Sequence, residues 1–115
     1  MKLTLIIFMC AIAISAQAQT ANELIGKWKL VKQTKKGVVK EPENTYQIFR
    51  EGGQFEGIAE GKTGKGKWTL SEDNKELKVK IGIATAKFKV EYFDAQKRVI
   101  SNDQLGTLEY EKVPE

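Results

Sequence analysis

Acid–base catalysis at neutral pH most often falls to histidine, and this 115-residue sequence contains none. Its single cysteine, Cys10, lies in a segment argued below to be removed, so thiol catalysis and thiolate zinc sites are closed to the mature chain. Carboxylates remain. Glu41, Glu43, Glu72 and Asp73 fall in turn-like stretches, where such groups stand in water. A glycosidase would need one acid held protonated in a cleft opposite its partner, and no pair here is set apart in that way. Gly61-Lys62-Thr63 invites a phosphate-loop reading, but that pattern requires glycine five residues earlier, where Glu56 stands. It also requires a following helix, whereas Lys65–Leu70 alternates as a strand. No catalytic residue, metal ligand or cofactor site is expected, and the chain reads as a binding protein rather than an enzyme.

The net charge of +4 is carried almost wholly by lysine, with Arg50 and Arg98 the only arginines. This balance gives solubility and a mild preference for anions. A basic groove with stacked aromatics, built from Lys35, Lys36, Lys62, Lys65 and Lys67, would suit single-stranded nucleic acid. The aromatic residues fall on the inward parity of their strands, however, and no nucleic-acid partner is expected.

Residues 1–18 read as a signal peptide. Lys2 is followed by an apolar run from Leu3 to Ile14, broken only by Thr4, and then by the small–any–small site Ala16-Gln17-Ala18. The run is shorter than the ~20 residues that span a bilayer. Ile7-Phe8-Met9 lacks the small residues that would mark Cys10 for lipid attachment. Cleavage before Gln19 leaves one domain, residues 19–115, exported to the periplasm or beyond, with no membrane span and no disulfide. Lys2 is the only charge removed.

The mature chain shows almost no helical period. Short apolar–polar alternation predicts eight strands: Lys27–Lys32, Thr45–Glu51, Gln54–Glu60, Lys65–Leu70, Glu76–Ile81, Ala86–Phe93, Arg98–Ser101 and Thr107–Val113. Asn22–Ile25 precedes them as a single helical turn capped by Asn22. Gly52-Gly53 predicts a two-residue hairpin at positive φ. In an up-and-down meander this turn, Ser71–Lys75 and Asp94–Lys97 share one tied end. The longer stretches Gln33–Asn44, Gly61–Gly64, Gly82–Thr85 and Asn102–Gly106 gather at the other end as looser loops. Eight sequential strands with no covering helix favour closure into an all-β antiparallel barrel. Gly26-Lys27-Trp28-Lys29-Leu30 recurs as Gly66-Lys67-Trp68-Thr69-Leu70, read as two strand starts under similar packing demands.

A helical turn followed by Gly26-Lys27-Trp28 at the first strand resembles the Gly–x–Trp signature of the lipocalins. The layout of the whole mature chain is similar to the short bacterial lipocalin-like proteins; avidin-like barrels share the strand count and a similar opening. The resemblance implies a structural role for Gly26 and Trp28, the indole plugging the closed end. Lipocalins also carry an arginine on the last strand, stacked across that tryptophan. Thr107–Val113 has none, and Lys112 is its only basic residue.

Strand parity then sets an inward group. Trp28, Phe55, Leu70, Leu77, Tyr92 and Tyr110 are expected to plug the tied end, with Leu30, Ile48, Gly57, Val79 and Val90 also inward. Tyr46, Trp68, Ile81, Phe88 and Leu108 are expected towards the open end, where Ala59, Gly61 and Gly66 leave volume unfilled. Lys36, Lys62 and Lys65 stand at the mouth. This arrangement predicts a site for a small hydrophobic or anionic amphipathic ligand, its tail among the aromatics and its head group at those lysines. The competing reading is a barrel with a filled core that meets proteins or the cell envelope through its loops. The two differ in whether the interior is hollow. No pattern in the sequence encodes an oligomeric state.

Overall fold

The computed structural model describes residues 21–115, so the expected signal segment 1–18, Cys10 and the cleavage point before Gln19 lie outside the described residues. A four-residue helix, α1 (Ala21–Leu24), begins one residue earlier than the turn expected at Asn22–Ile25. Nine strands follow: β1 (Gly26–Lys35), β2 (Val38–Lys40), β3 (Thr45–Arg50), β4 (Gln54–Ala59), β5 (Lys62–Leu70), β6 (Glu76–Ile81), β7 (Ala84–Phe93), β8 (Lys97–Asn102) and β9 (Gly106–Val113). Their alternation is the physical cause of the sheet. In β6, Leu77 and Val79 are buried while Lys78 and Lys80 stand in water.

Every ladder is antiparallel, and β1 also pairs with β9 from Lys27↔Val113 to Thr34↔Thr107, which closes the sheet. β2 lies against Gln33–Lys35 and β3 against Gly26–Lys29, on the same side of β1. They act as one strand interrupted at residues 41–44, so the closed barrel has the eight strands expected. Closure removes edges that would otherwise invite pairing with other chains.

α1, the 3-10 turn Glu51–Gly53 and the turns at 71–75 and 94–96 lie at one end. The looser loops expected at the other end are shortened, because the strands run on, leaving residues 41–44 and 103–105 outside strands. β1 extends through Lys35, β5 starts at Lys62 and β7 at Ala84. Three open-end connections are two-residue hairpins, Lys36-Gly37, Glu60-Gly61 and Gly82-Ile83. Lys36 (φ 50) and Glu60 (φ 51), each followed by glycine near φ 80, form the type I′ geometry whose twist matches the strands. The closed-end turn at 94–96 is organised by Asp94, which accepts from the Tyr92 hydroxyl at 2.5 Å and from the Gln96 and Lys97 N–H groups at 2.8 and 2.7 Å.

Two register details overturn inward assignments, and a third adds an inward residue. Trp28 pairs with Gln47 and Gly26 with Phe49, while Lys27 pairs with Ile48 and Lys29 with Tyr46. Paired residues share a face, so Gln47 and Phe49 point inward and Tyr46 and Ile48 outward, Ile48 being buried there but outside the core cluster. Apolar residues occupy both parities of β3, and the interior takes Phe49, which packs edge-on to Phe55 and Trp68. In β7 an irregularity between Val90 and Tyr92 inverts the alternation. Phe93 therefore faces in, edge-on to Trp28 at 6.0 Å, and Tyr92 is half-exposed rather than part of the plug. A matching shift between Leu30 and Lys32 turns Gln33 inward beside Leu108.

Candidate functional site

Trp28 fills the closed end and is fully buried. Its indole N–H donates to the Leu24 carbonyl at 2.9 Å, satisfying one of the free acceptors at the end of α1. Lys112 pairs with Trp28 in the β1–β9 ladder. Its ammonium lies 4.8 Å from the ring centroid and donates to the Glu23 carbonyl at 3.1 Å, holding α1 across the barrel end. Gly26 (φ +132) permits this, since a Cβ there would stand 2.6 Å from Lys112 Cε.

The arginine that resemblance places on the last strand comes instead from its neighbour. Arg98 on β8 is 1% exposed, its guanidinium carbon 5.0 Å from the Trp28 ring, 4.9 Å from Phe49 and 4.3 Å from Tyr110. Nη2 donates to Gln47 Oε1 at 2.6 Å, while buried Nε and Nη1 have no protein acceptor. Burial pulls the guanidinium down to about 10, opposed by attraction to Tyr110, so the group remains charged at neutral pH. Burial likewise pushes the Tyr110 hydroxyl up to about 12, with the Arg98 charge working against it. Desolvation also lowers Lys112, although Glu23 opposes the shift. Cation–ring attraction replaces the carboxylate that a buried arginine normally takes.

Above this packed layer the barrel is hollow. A cavity of about 630 Å³ opens at the end away from α1, in the range that takes small organic ligands. Its emptiness has a local cause. Gly57 pairs with Gly64 across β4 and β5, and Ala84 and Ala86 face in from β7 opposite Ile81 and Val79. Side chains that would meet at the centre are missing from that wall. Of the three small residues expected to leave space, Ala59 lines the cavity. Gly61 is an exposed turn residue, and a Cβ on Gly66 would overlap the Lys80 carbonyl. Polar atoms are few and include Gln47, Thr45, Gln104 and, at the mouth, Lys62.

The residues expected to form a ligand site are only partly brought together. Ile81, Phe88 and Lys62 line the cavity. Tyr46 borders it, but its ring is taken on the outer face by Lys27 Nζ, 4.4 Å from the centroid. Trp68 belongs to the closed end, one inward position above the Leu70↔Leu77 rung, where its indole donates to the Arg50 carbonyl at 3.0 Å. The repeated pentapeptide is thus read in opposite directions, at the start of β1 and at the end of β5, and both indoles serve the same end. Leu108 is packed into the core cluster rather than on the cavity wall. Lys65 pairs with Glu56 on the outer face, and Lys36 lines a separate shallow groove with Lys35, Val38 and Lys40. The signal missed in the sequence is Gln47, whose amide reaches both the cavity and Arg98.

No family model matches the chain, and neither does any curated protein. Two solved structures are similar in fold. A lipocalin-like protein from Bacteroides uniformis superposes with a TM-score of 0.68 at 20% identity, over 79% of this chain and 99% of its own. An uncharacterized protein from Bacteroides eggerthii gives 0.67 at 17% identity, over 78% and 99%. The fold is that of a lipocalin-like barrel, spanning nearly the whole of both chains it matches.

Proposed function

We propose that this lipocalin-like barrel is an exported protein that binds a small hydrophobic or amphipathic molecule, without catalysis, in the cavity above its packed floor. The observation that carries the reading is the cavity of about 630 Å³, walled by Gly57, Gly64, Ala84, Ala86, Ile81 and Phe88. The apolar walls of this open cavity face water, and a bound apolar chain would remove that surface from it. Lys62 is the lysine positioned to meet an anionic head group at the mouth; Lys36 and Lys65 are not on the cavity wall. Export rests on the leader-like pattern of residues 1–18.

Native mass spectrometry of protein recovered from the exported fraction tests the proposal. The expected result is a discrete adduct after incubation with fatty acids or lipid extract, weakened by Lys62→Glu for anionic ligands but not for neutral ones. A denaturing mass corresponding to residues 19–115 is expected from the same sample. An apo mass unmoved by every lipid offered would retire the ligand reading in favour of a protein-interaction module.

A further inference from the structure

We infer that the open end of the barrel seats on an anionic lipid bilayer, with the tips of the β1–β2 and β6–β7 hairpins entering its interfacial region. Six large apolar side chains are exposed among the described residues, and five of them, Val38, Val39, Ile81, Ile83 and Leu105, stand at this one end. Ile83 is wholly exposed at the tip of its turn (102%). In strand order the β1–β2 and β6–β7 hairpins lie on opposite sides of the mouth, so their tips bracket the cavity entrance.

Charge identifies the occupant. From Gln33 to Lys40 the only charged residues are Lys35, Lys36 and Lys40, and from Lys80 to Val90 only Lys80, Lys87 and Lys89. The carboxylates of this end, Glu60 and Asp103, sit on the two intervening turns, and Glu41 and Glu43 on the interruption between β2 and β3. Apolar tips flanked by lysines without carboxylates fit a surface that is apolar beneath and anionic above, which is an anionic bilayer. The wall beside one tip is closed by side-chain and backbone contact rather than by a ladder. β5 is laddered to β4 from Lys62 to Lys67 but to β6 only from Lys67 onwards, so upper β5 and the β6–β7 hairpin are joined by no ladder. Ile81, on the cavity lining, closes against Gly64 there. A seated barrel would present both its mouth and this seam to lipid.

Flotation of the mature chain with vesicles tests the inference. Vesicles of phosphatidylcholine mixed with phosphatidylglycerol are expected to carry the protein up, and vesicles of phosphatidylcholine alone are not. Ile83→Ser, which removes no protein contact, is expected to lower the partition about tenfold or more. Lys35→Glu with Lys80→Glu is expected to do the same, as is raising salt to about 1 M, where the Debye length is about 3 Å. Uptake of a fluorescent fatty acid in vesicle-free solution keeps the two proposals apart, since Ile83→Ser should leave it unchanged. Wild-type protein that stays with the soluble fraction, or an Ile83→Ser protein that floats like the wild type, overturns the bilayer assignment whatever the uptake assay shows. Sedimentation revealing a dimer that Ile83→Ser dissociates would instead give the apolar tips to a second copy of the chain.

Discussion

Arg98 is a buried cation whose surroundings offer three ring faces and one amide oxygen in place of a carboxylate. Two opposing terms decide what it contributes. Desolvation of a guanidinium costs several kcal/mol, and shape-matched apolar replacement of a buried charge is often neutral or stabilising. Truncation, in contrast, leaves a hole against Trp28, Phe49 and Tyr110. Arg98→Met is therefore expected to unfold within about 1 kcal/mol of the wild type or above it, while Arg98→Ala loses about 3 kcal/mol. Urea titrations read by tryptophan fluorescence separate these outcomes. Equal losses in both variants would mean that charge–ring attraction outweighs desolvation. Nothing in the local sequence singles this residue out, because Arg98 follows Lys97 at a turn and a basic residue belongs in water by default. Resemblance pointed to the strand carrying Lys112. The ring acquires two cations, one from each of the last two strands, and only the closed barrel brings them together.

At the scale of elements, hairpins and turns carry separable contributions. Glu60 holds φ 51 before Gly61, a left-handed conformation that Asn tolerates better than Glu. Glu60→Asn is expected to raise Tm by a few degrees, equivalent to roughly 0.5–1 kcal/mol; a lower Tm would contradict the assigned turn type. Asp94 makes the closed-end turn pH-sensitive. The Tyr92 hydroxyl, followed by the Gln96 and Lys97 N–H groups, holds its carboxyl below the ordinary 3.8. The native state then binds fewer protons than the unfolded chain in the window just below 3.8. The turn's contribution is present above that pH and lost as pH falls through the depressed value. Asp94→Asn should melt lower than the wild type at neutral pH, with the gap closing as pH falls below 3.8 and through the depressed value. A gap independent of pH would remove the carboxylate from the account. The strands themselves were legible, since Leu77-Lys78-Val79-Lys80-Ile81 admits one reading. Register was not legible where β3 offers Tyr46, Ile48 and Phe49 at both parities, nor where the shift before Tyr92 exchanges it for Phe93. Such choices are set by partners across the barrel.

The molecule as a whole divides into a packed lower half and an empty upper half, and the two answer different demands. Below, Trp28, Arg98, Phe49, Phe93 and Trp68 pack against one another, with α1 bonded across Trp28. Above, glycine and alanine occupy inward positions where larger side chains would have packed. A domain of this size, with no cysteine among its described residues, has a small margin of stability. An unfilled cavity lowers that margin further, which is understandable where the space is used. The consequence is measurable. A Cβ on Gly64 would reach the Ile81 side chain at 3.5 Å, an ordinary contact, and Ala86 faces the same space. Gly64→Ala combined with Ala86→Leu should then raise stability by about 1 kcal/mol, since buried methylenes gain contacts without displacing others. The same variant should lose fatty-acid uptake by about tenfold or more, because an added side chain occupies the volume that a ligand tail needs. Higher stability with uptake intact would move the binding site out of the barrel and onto its surface. Lower stability would mean that the upper walls already meet and that the barrel in solution is packed throughout.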